Sequence, residues 1–197
     1  MTPLPDALLE SVAAAAVREG LADAVFTRLR TPIGTLLVVQ GSHGVARVAF
    51  PEEPEDGVLA EVASHFGPRI VASDRELSPT RDTLAAYFDG EGDPHELPVD
   101  LSLVSAPFRR AVLDTLHEEV GRGEVVTYGS LARLAGNPRA FRAAATACAR
   151  NPIPILVPCH RVLPASGGIG GYGGGPERKR ALLELEGVRS RRPSPTG

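Results

Sequence analysis

The 197-residue chain has no tryptophan, one methionine and two cysteines, and aromatic residues make up 5% of it. Two cysteines cannot build the disulfide framework that staples small secreted domains, nor can they supply a cysteine-rich zinc site by themselves. A reducing, cytoplasmic setting is the expectation. No apolar run approaches the ~20 residues that span a bilayer, so no membrane association is expected. The first twenty residues lack a basic n-region and carry Asp6, Glu10 and Glu19, so no secretory signal is expected there. Lysine is nearly missing as well: Lys179 is the only one, and every other cation is an arginine.

What is present is ordinary in amount and unusual in arrangement. The apolar fraction, 43%, suits a globular chain with room for one large or two small cores. The formal net charge of -3 hides an asymmetry. Residues 1–104 hold 7 basic against 17 acidic side chains, and residues 105–197 hold 14 against 7. A basic half joined to an acidic half points to a polyanionic partner for the second half.

Residues 6–19 have apolar positions at helical spacing and predict an accessory helix, part of an extension over residues 1–24. Residues 25–29, 36–39 and 45–50 are β-rich runs separated by Thr31-Pro32-Ile33-Gly34 and Gly41-Ser42-His43-Gly44, the pattern of a small antiparallel meander. Helices are expected over 57–66 and 79–89. His43, His65 and His95 fall in or beside loops and are expected at the surface. A first domain is drawn over 25–100, and residues 97–107 read as a linker.

A helix is then expected over 108–120. Thr127 should cap a short helix over 128–135, and Gly136-Asn137-Pro138 should end it and start the next, with Pro138 in the first turn. Helix, tight turn, helix is the helix-turn-helix pattern. On the second helix, drawn over 139–150, Arg139, Arg142, Thr146 and Arg150 share a basic and polar face. Phe141, Ala144 and Cys148 lie opposite and are expected to face the core. Ala143 and Ala147 flank the basic face and are small enough for close approach of a partner. A solvated arginine-bearing surface helix is the alternative to DNA contact; the basic half and the motif favour DNA.

The two thiols differ in setting. Cys148 sits on the inner face of an alanine-rich helix, where a buried structural thiol is the expectation. Cys159 lies in Val157-Pro158-Cys159-His160-Arg161-Val162, between a proline-alternating run, residues 151–156, and a glycine-dense run, residues 167–175. A thiol beside an imidazole is a candidate nucleophile. On the last expected helix, 177–186, Glu186 shares the arc of Leu182, Leu183 and Leu185. A buried acid needs a partner, and His160 is the candidate; a frayed helix end with a solvated Glu186 is the alternative. Residues 188–197 read as a disordered basic tail.

These residues resemble a known family. Asn151-Pro152-x-Pro154-Ile155-Leu156-Val157-Pro158-Cys159-His160-Arg161-Val162 is similar to the active-site motif of the O6-alkylguanine-DNA alkyltransferases. The likeness continues through Thr127 to Ala132, the Arg142 helix, Gly170 to Gly174 and Leu182 to Glu186, covering about residues 105–187. It implies an α+β fold: a ribonuclease-H-like α/β domain over 25–100, then a mostly helical, winged-helix-like domain over 105–187 carrying the helix-turn-helix. It implies direct reversal of damage, with one alkyl group moving from O6-alkylguanine, or O4-methylthymine, in double-stranded DNA to Cys159.

The resemblance assigns a relay to Glu186, His160 and a bridging water, and a bracing role to Asn151. It assigns the flipped base to Tyr128, Val162, Tyr172 and Gly173. DNA contact in the minor groove falls to Arg142 as the finger that fills the vacated stack, with Arg139, Ala143, Thr146, Ala147 and Arg150 around it. No cofactor, no structural zinc and no activator domain are expected. A monomer is expected, with cooperative binding along DNA left open, in the cytoplasm and at the nucleoid when bound.

The chain departs from the family pattern at three positions. Ala145 and Thr146 stand where the family commonly has Gly-Gly, and Gly173 replaces a Ser often found after the pocket tyrosine. A lesion-binding protein without chemistry, a cysteine hydrolase and a plain DNA-binding regulator are the competing classes. Cys159 argues against the first, and the basic helix-turn-helix against the second. The third would leave Cys159 and Glu186 incidental.

Overall fold

The computed structural model describes residues 5–188 and divides into two compact units, with the boundary between Leu103 and Val104. Both are mixed α/β in composition. Among the described residues no helix is long and apolar enough to cross a membrane. The basic tail expected beyond Val188 lies outside the described residues, as do residues 1–4.

The first unit opens with α1 (Asp6–Arg18). Strands β1 (Ala24–Thr31), β2 (Gly34–Gly41) and β3 (Gly44–Ala49) follow as the expected antiparallel meander, with Phe26 opposite Val39 and Leu37 opposite Ala49. Thr31 closes the first hairpin by donating its hydroxyl to the Gly34 carbonyl at 2.6 Å. Alternate residues of the strands, Phe26, Leu37, Val39 and Ala49, pack with Val58 and Val62 of α2 (Glu55–Phe66). A fourth strand, β4 (Ile70–Ala72), pairs parallel to β1 and gives the sheet order β3-β2-β1-β4. Its three residues are too few to show an alternating pattern, so the sequence does not reveal it. Helix α3 (Ser78–Phe88) follows, and then two short 3-10 turns, Pro94–Glu96 and Leu101–Leu103. His43 and His65 are exposed and His95 is half-buried.

Residues 97–107 are not a free linker. Val45 donates to the Pro98 carbonyl and accepts from Asp100, both at 2.8 Å, so this stretch runs alongside the start of β3. Leu101 and Val104 are buried. Backbone pairing of this kind leaves no periodic signal in a run of five residues.

The second unit begins with α4 (Pro107–Glu119), whose Val112, Leu113 and Leu116 are fully buried. A two-residue strand, β5 (Val126–Thr127), pairs parallel to β6 (Val162–Leu163). Thr127 then caps α5 (Tyr128–Leu134) by accepting from the Ser130 amide at 3.1 Å. Gly136, at φ 82, closes α5, with the Asn137 amide donating to the Ala132 carbonyl.

Helix α6 (Phe141–Ala149) starts two residues later than the sequence suggests. Asn137 to Ala140 form a turn of their own, closed by the Ala140 amide on the Asn137 carbonyl at 3.0 Å. Pro138 therefore belongs to this turn, and Arg139 precedes the helix. The buried side of α6 is Ala144, Ala147 and Cys148, and the rest of the helix is exposed or half-exposed. Two expectations are corrected by this. Phe141 does not face the core: it is 49% exposed, because it sits on the first turn where no element covers it. Ala147 is fully buried and so is removed from the DNA-facing set. The final helix is α7 (Pro176–Leu185).

Candidate functional site

The segment from α6 to Cys159 is held by one side chain. Asn151 accepts from the Ile153 amide at 3.0 Å and donates through Nδ2 to the Val157 carbonyl at 2.7 Å. The same Nδ2 lies 3.1 Å from Cys159 Sγ and donates to it. Between these anchors Ile155 adopts φ 80, a conformation a β-branched residue rarely takes. Buried on every side, the segment keeps that geometry because Asn151 and the packed Ile153, Leu156 and Val157 fix it.

Cys159 to Arg161 form a single 3-10 turn. The turn takes Cys159 and His160 out of the extended conformation, in which neighbouring side chains point to opposite faces. His160 is fully buried, and its Nε2 lies 2.8 Å from Glu186 Oε1. With Nε2–H donating to the carboxylate, Nδ1 carries the lone pair. His160 Nδ1 has no hydrogen-bond partner among the described residues. Burial holds the His160 imidazole below its usual pKa, against the opposing pull of Glu186, so the ring is a neutral base.

Glu186 caps the end of α7 and its side chain is fully buried. The frayed-end alternative is therefore set aside. Beyond His160, the carboxylate takes a two-pronged grip from Arg161, Nε on Oε2 at 2.9 Å and Nη2 on Oε1 at 3.0 Å. Arg161 also donates to the Val120 carbonyl at 2.7 Å. Removing one partner of such a buried pair costs about 3–5 kcal/mol. Arg161 is not singled out by the sequence reading; the signal available is an arginine that, with His160, interrupts the largely apolar run 152–163.

Lys179 was also missed. It is fully buried, and its ammonium donates to the Val162 carbonyl at 2.7 Å and the Gly171 carbonyl at 3.2 Å. The ammonium thus ties the glycine run to the strand that follows the nucleophile. Gly170, at φ 69, lets this happen: a Cβ there would meet the Pro164 ring at 2.9 Å. The one lysine in an arginine-rich chain was a legible clue. Arginine would be too large and too rigid a fork for a site that needs a compact cation.

A cavity of about 290 Å³ opens beside the thiol, lined by Tyr128, Ala145, Cys148, Ala149, Cys159, Gly171, Tyr172 and Gly173. That is near the lower limit for a small-ligand site. Tyr128, Tyr172 and Gly173 are brought together as the sequence led one to expect. Val162 is not among the lining residues; it is buried in β6 with its carbonyl taken by Lys179. Ala145, one of the departures from the family pattern, forms part of the wall, and so does Cys148.

Burial pushes the Cys159 thiol up to about 11, with Asn151 and then Lys179 pulling it back. Cys148 is pushed further above the usual thiol range, by burial first and then by Cys159. Tyr128 is also raised, mainly by burial, and keeps its proton. At rest Cys159 is thus a neutral thiol, and His160, next to it in the chain, a neutral imidazole. On the outer side of the same unit, Arg139, Arg142, Ala143, Thr146 and Arg150 are all exposed. Thr146 donates its hydroxyl to the Arg142 carbonyl at 3.0 Å.

A family model described as 6-O-methylguanine DNA methyltransferase, DNA binding domain, matches residues 107–188. The methylated-DNA–protein-cysteine methyltransferase of Mycobacterium tuberculosis is 49% identical over 113 residues, 57% of this chain and 66% of the relative's length. The protein of the same name from Cricetulus griseus is 36% identical over 181 residues, 86% of this chain and 85% of its own. Among solved structures, Mycobacterium tuberculosis OGT in complex with DNA superposes with a TM-score of 0.71 at 36% identity, covering 84% of this chain and 94% of that one. The chain belongs to the methylated-DNA–protein-cysteine methyltransferase family.

Proposed function

We propose that this chain repairs DNA by direct reversal, moving an alkyl group, methyl foremost, from O6-alkylguanine in duplex DNA to Cys159 once per molecule. O4-methylthymine is a second substrate of the same chemistry. The observation that carries the reading is the cavity beside Cys159, whose neighbour His160 is gripped by a buried Glu186 and keeps an unpartnered Nδ1.

The chemistry follows from that arrangement. A water bridging His160 Nδ1 and Cys159 Sγ passes the thiol proton to the imidazole, and Glu186 stabilises the imidazolium. Sγ attacks the alkyl carbon in line with the C–O6 bond. The S–C bond forms, the C–O6 bond breaks, and its electron pair stays on the guanine. The guanine takes up the Tyr128 proton, a backbone amide can assist only by hydrogen bonding, and the proton held on His160 is returned through solvent to the Tyr128 oxygen, so charge balances. Asn151 donates to the sulfur, the Lys179 charge acts on it without a direct bond, and both favour the thiolate as it forms. A thioether is stable to hydrolysis, and among the described residues the cavity lining offers no group that would cleave it, so the protein is consumed.

Delivery of the base rests on the helix-turn-helix. Helix α6 lies in the minor groove, where Ala143 permits close approach, Arg139, Thr146 and Arg150 meet the backbone, and Arg142 fills the gap left by the flipped nucleotide. Tyr128 crowds the phosphate beside the gap, Tyr172 and Gly173 wall the pocket, and backbone near Val162 reads the base edge. The sheet order with its parallel β1–β4 pair supports a ribonuclease-H-like first unit. The β5–β6 pair beside the helix-turn-helix supports a winged-helix-like second. A cytoplasmic monomer acting at the nucleoid completes the reading.

Peptide mapping after incubation with an O6-methylguanine duplex tests it. S-methylcysteine at Cys159 and none at Cys148 is the expected result. Methylation at Cys148, or loss of the lesion with no adduct on the protein, would overturn it.

A further inference from the structure

Residues 125–150 contain four arginines, Arg133, Arg139, Arg142 and Arg150, and no acidic residue. All four are exposed. Arg139, Arg142 and Arg150 make no ion pair among the described residues. In the second unit, the exposed large apolar side chains are Val125, Leu134 and Phe141, and all three fall in this same stretch. Elsewhere among the described residues of the unit, large apolar side chains are covered or half-covered. Exposed apolar side chains within a stretch that carries only positive charge fit a partner that is anionic outside and apolar between its layers, which is the chemistry of a nucleic-acid duplex.

Phe141 is the residue this describes best. It stands on the first turn of α6, 49% exposed, directly before Arg142. The Arg142 guanidinium lies over its ring, 5.5 Å from the centroid. The ring therefore holds the cation against the helix while no DNA is present. An arginine that moved from this position into a base stack would leave the ring uncovered.

We propose that Phe141 is a second, apolar contact to the duplex, packing on the base pair that flanks the gap Arg142 fills. This rests on the reading that α6 meets DNA. Apolar wedges commonly support such a gap, and stacking on a base is tolerant of sequence. The ring thereby stabilises the opened duplex without reading its bases.

The chain has no tryptophan, so Phe141→Trp places a single indole at this position. Its emission is expected to be quenched by an O6-methylguanine duplex at saturation; unaltered emission would overturn the proposal. Phe141→Ala is expected to weaken duplex affinity by about tenfold, with Phe141→Leu recovering part of it. Because no charge is lost, its plot of log affinity against log salt should run parallel to the parent's, whereas Arg139→Ala should lower the slope by about one. The ratio of the transfer rate on duplex to that on free O6-benzylguanine should fall with the affinity. Parent-like duplex affinity, or equal losses on duplex and free base, would overturn the proposal. If the parent bound duplex yet transferred nothing, the alkyl-transfer reading would fail on its own, and affinity and indole emission would still decide Phe141.

Discussion

His160 Nε2 and Glu186 Oε1 are 2.8 Å apart with both side chains shut off from solvent, although 25 residues separate them in the chain. The pair fixes which imidazole nitrogen can act as a base. Glu186→Gln keeps an oxygen for His160 but removes the charge that stabilises the imidazolium. Transfer from O6-methylguanine duplex should slow at least about tenfold, a fraction of the ~10²–10⁴ that a positioned base supplies. Duplex affinity should stay near the parent's. Single-turnover quench kinetics beside anisotropy titrations check this; an unaltered transfer rate would remove Glu186 from the relay.

The pH dependence follows from the same burial. His160 is held below its unperturbed pKa of 6.5, so it stays neutral at acidities that would protonate an exposed imidazole. Transfer to free O6-benzylguanine should therefore show no half-maximal point at 6.5, with its acid fall-off displaced to lower pH. Stability carries the opposite face of this shift. The unfolded chain binds a proton at His160 that the folded chain refuses, so this contribution is full above 6.5 and is lost as pH falls through the depressed value. A rate profile that halves at 6.5 would contradict the assignment.

Asn151 holds three groups at once: the Ile153 amide, the Val157 carbonyl and Cys159 Sγ. Asn151→Ala leaves the first two unsatisfied in a buried segment, at about 2–4 kcal/mol in denaturant unfolding. It also removes a donor that stabilises the thiolate, so alkylation of Cys159 by iodoacetamide should slow. Normal stability with slowed alkylation would separate the two roles, and no change in either would refute both.

Lys179→Met is expected to slow iodoacetamide alkylation of Cys159, because a cation that favours the thiolate is gone. It should also free the glycine run from the Val162 strand, read as faster amide exchange over residues 167–173. Exchange and alkylation both at parent rates would mean the ammonium holds nothing.

Much of the site is legible in the sequence because its parts are close together. Residues 151–162 and the arc of Leu182, Leu183 and Glu186 expose the thiol, its neighbour and the buried acid. What stays hidden depends on contacts between distant segments. Arg161 and Lys179 acquire their roles only when α4, β6 and α7 meet. β4 exists because β1 offers it an edge, and 98–100 because β3 does. Phe141 and Ala147 were assigned to the wrong sides for a single reason. Helical period fixes which residues share a face, but the start of α6 and the elements packed on it decide which face is inward.

The central claim is that Cys159 is a consumed reactant. Intact mass measured during titration with O6-methylguanine duplex tests it most directly. The account predicts one methyl-for-hydrogen exchange per chain, repair that stops at one lesion per protein, and neither event in Cys159→Ser. Repair continuing beyond one equivalent, or a second methyl on the chain, would contradict it.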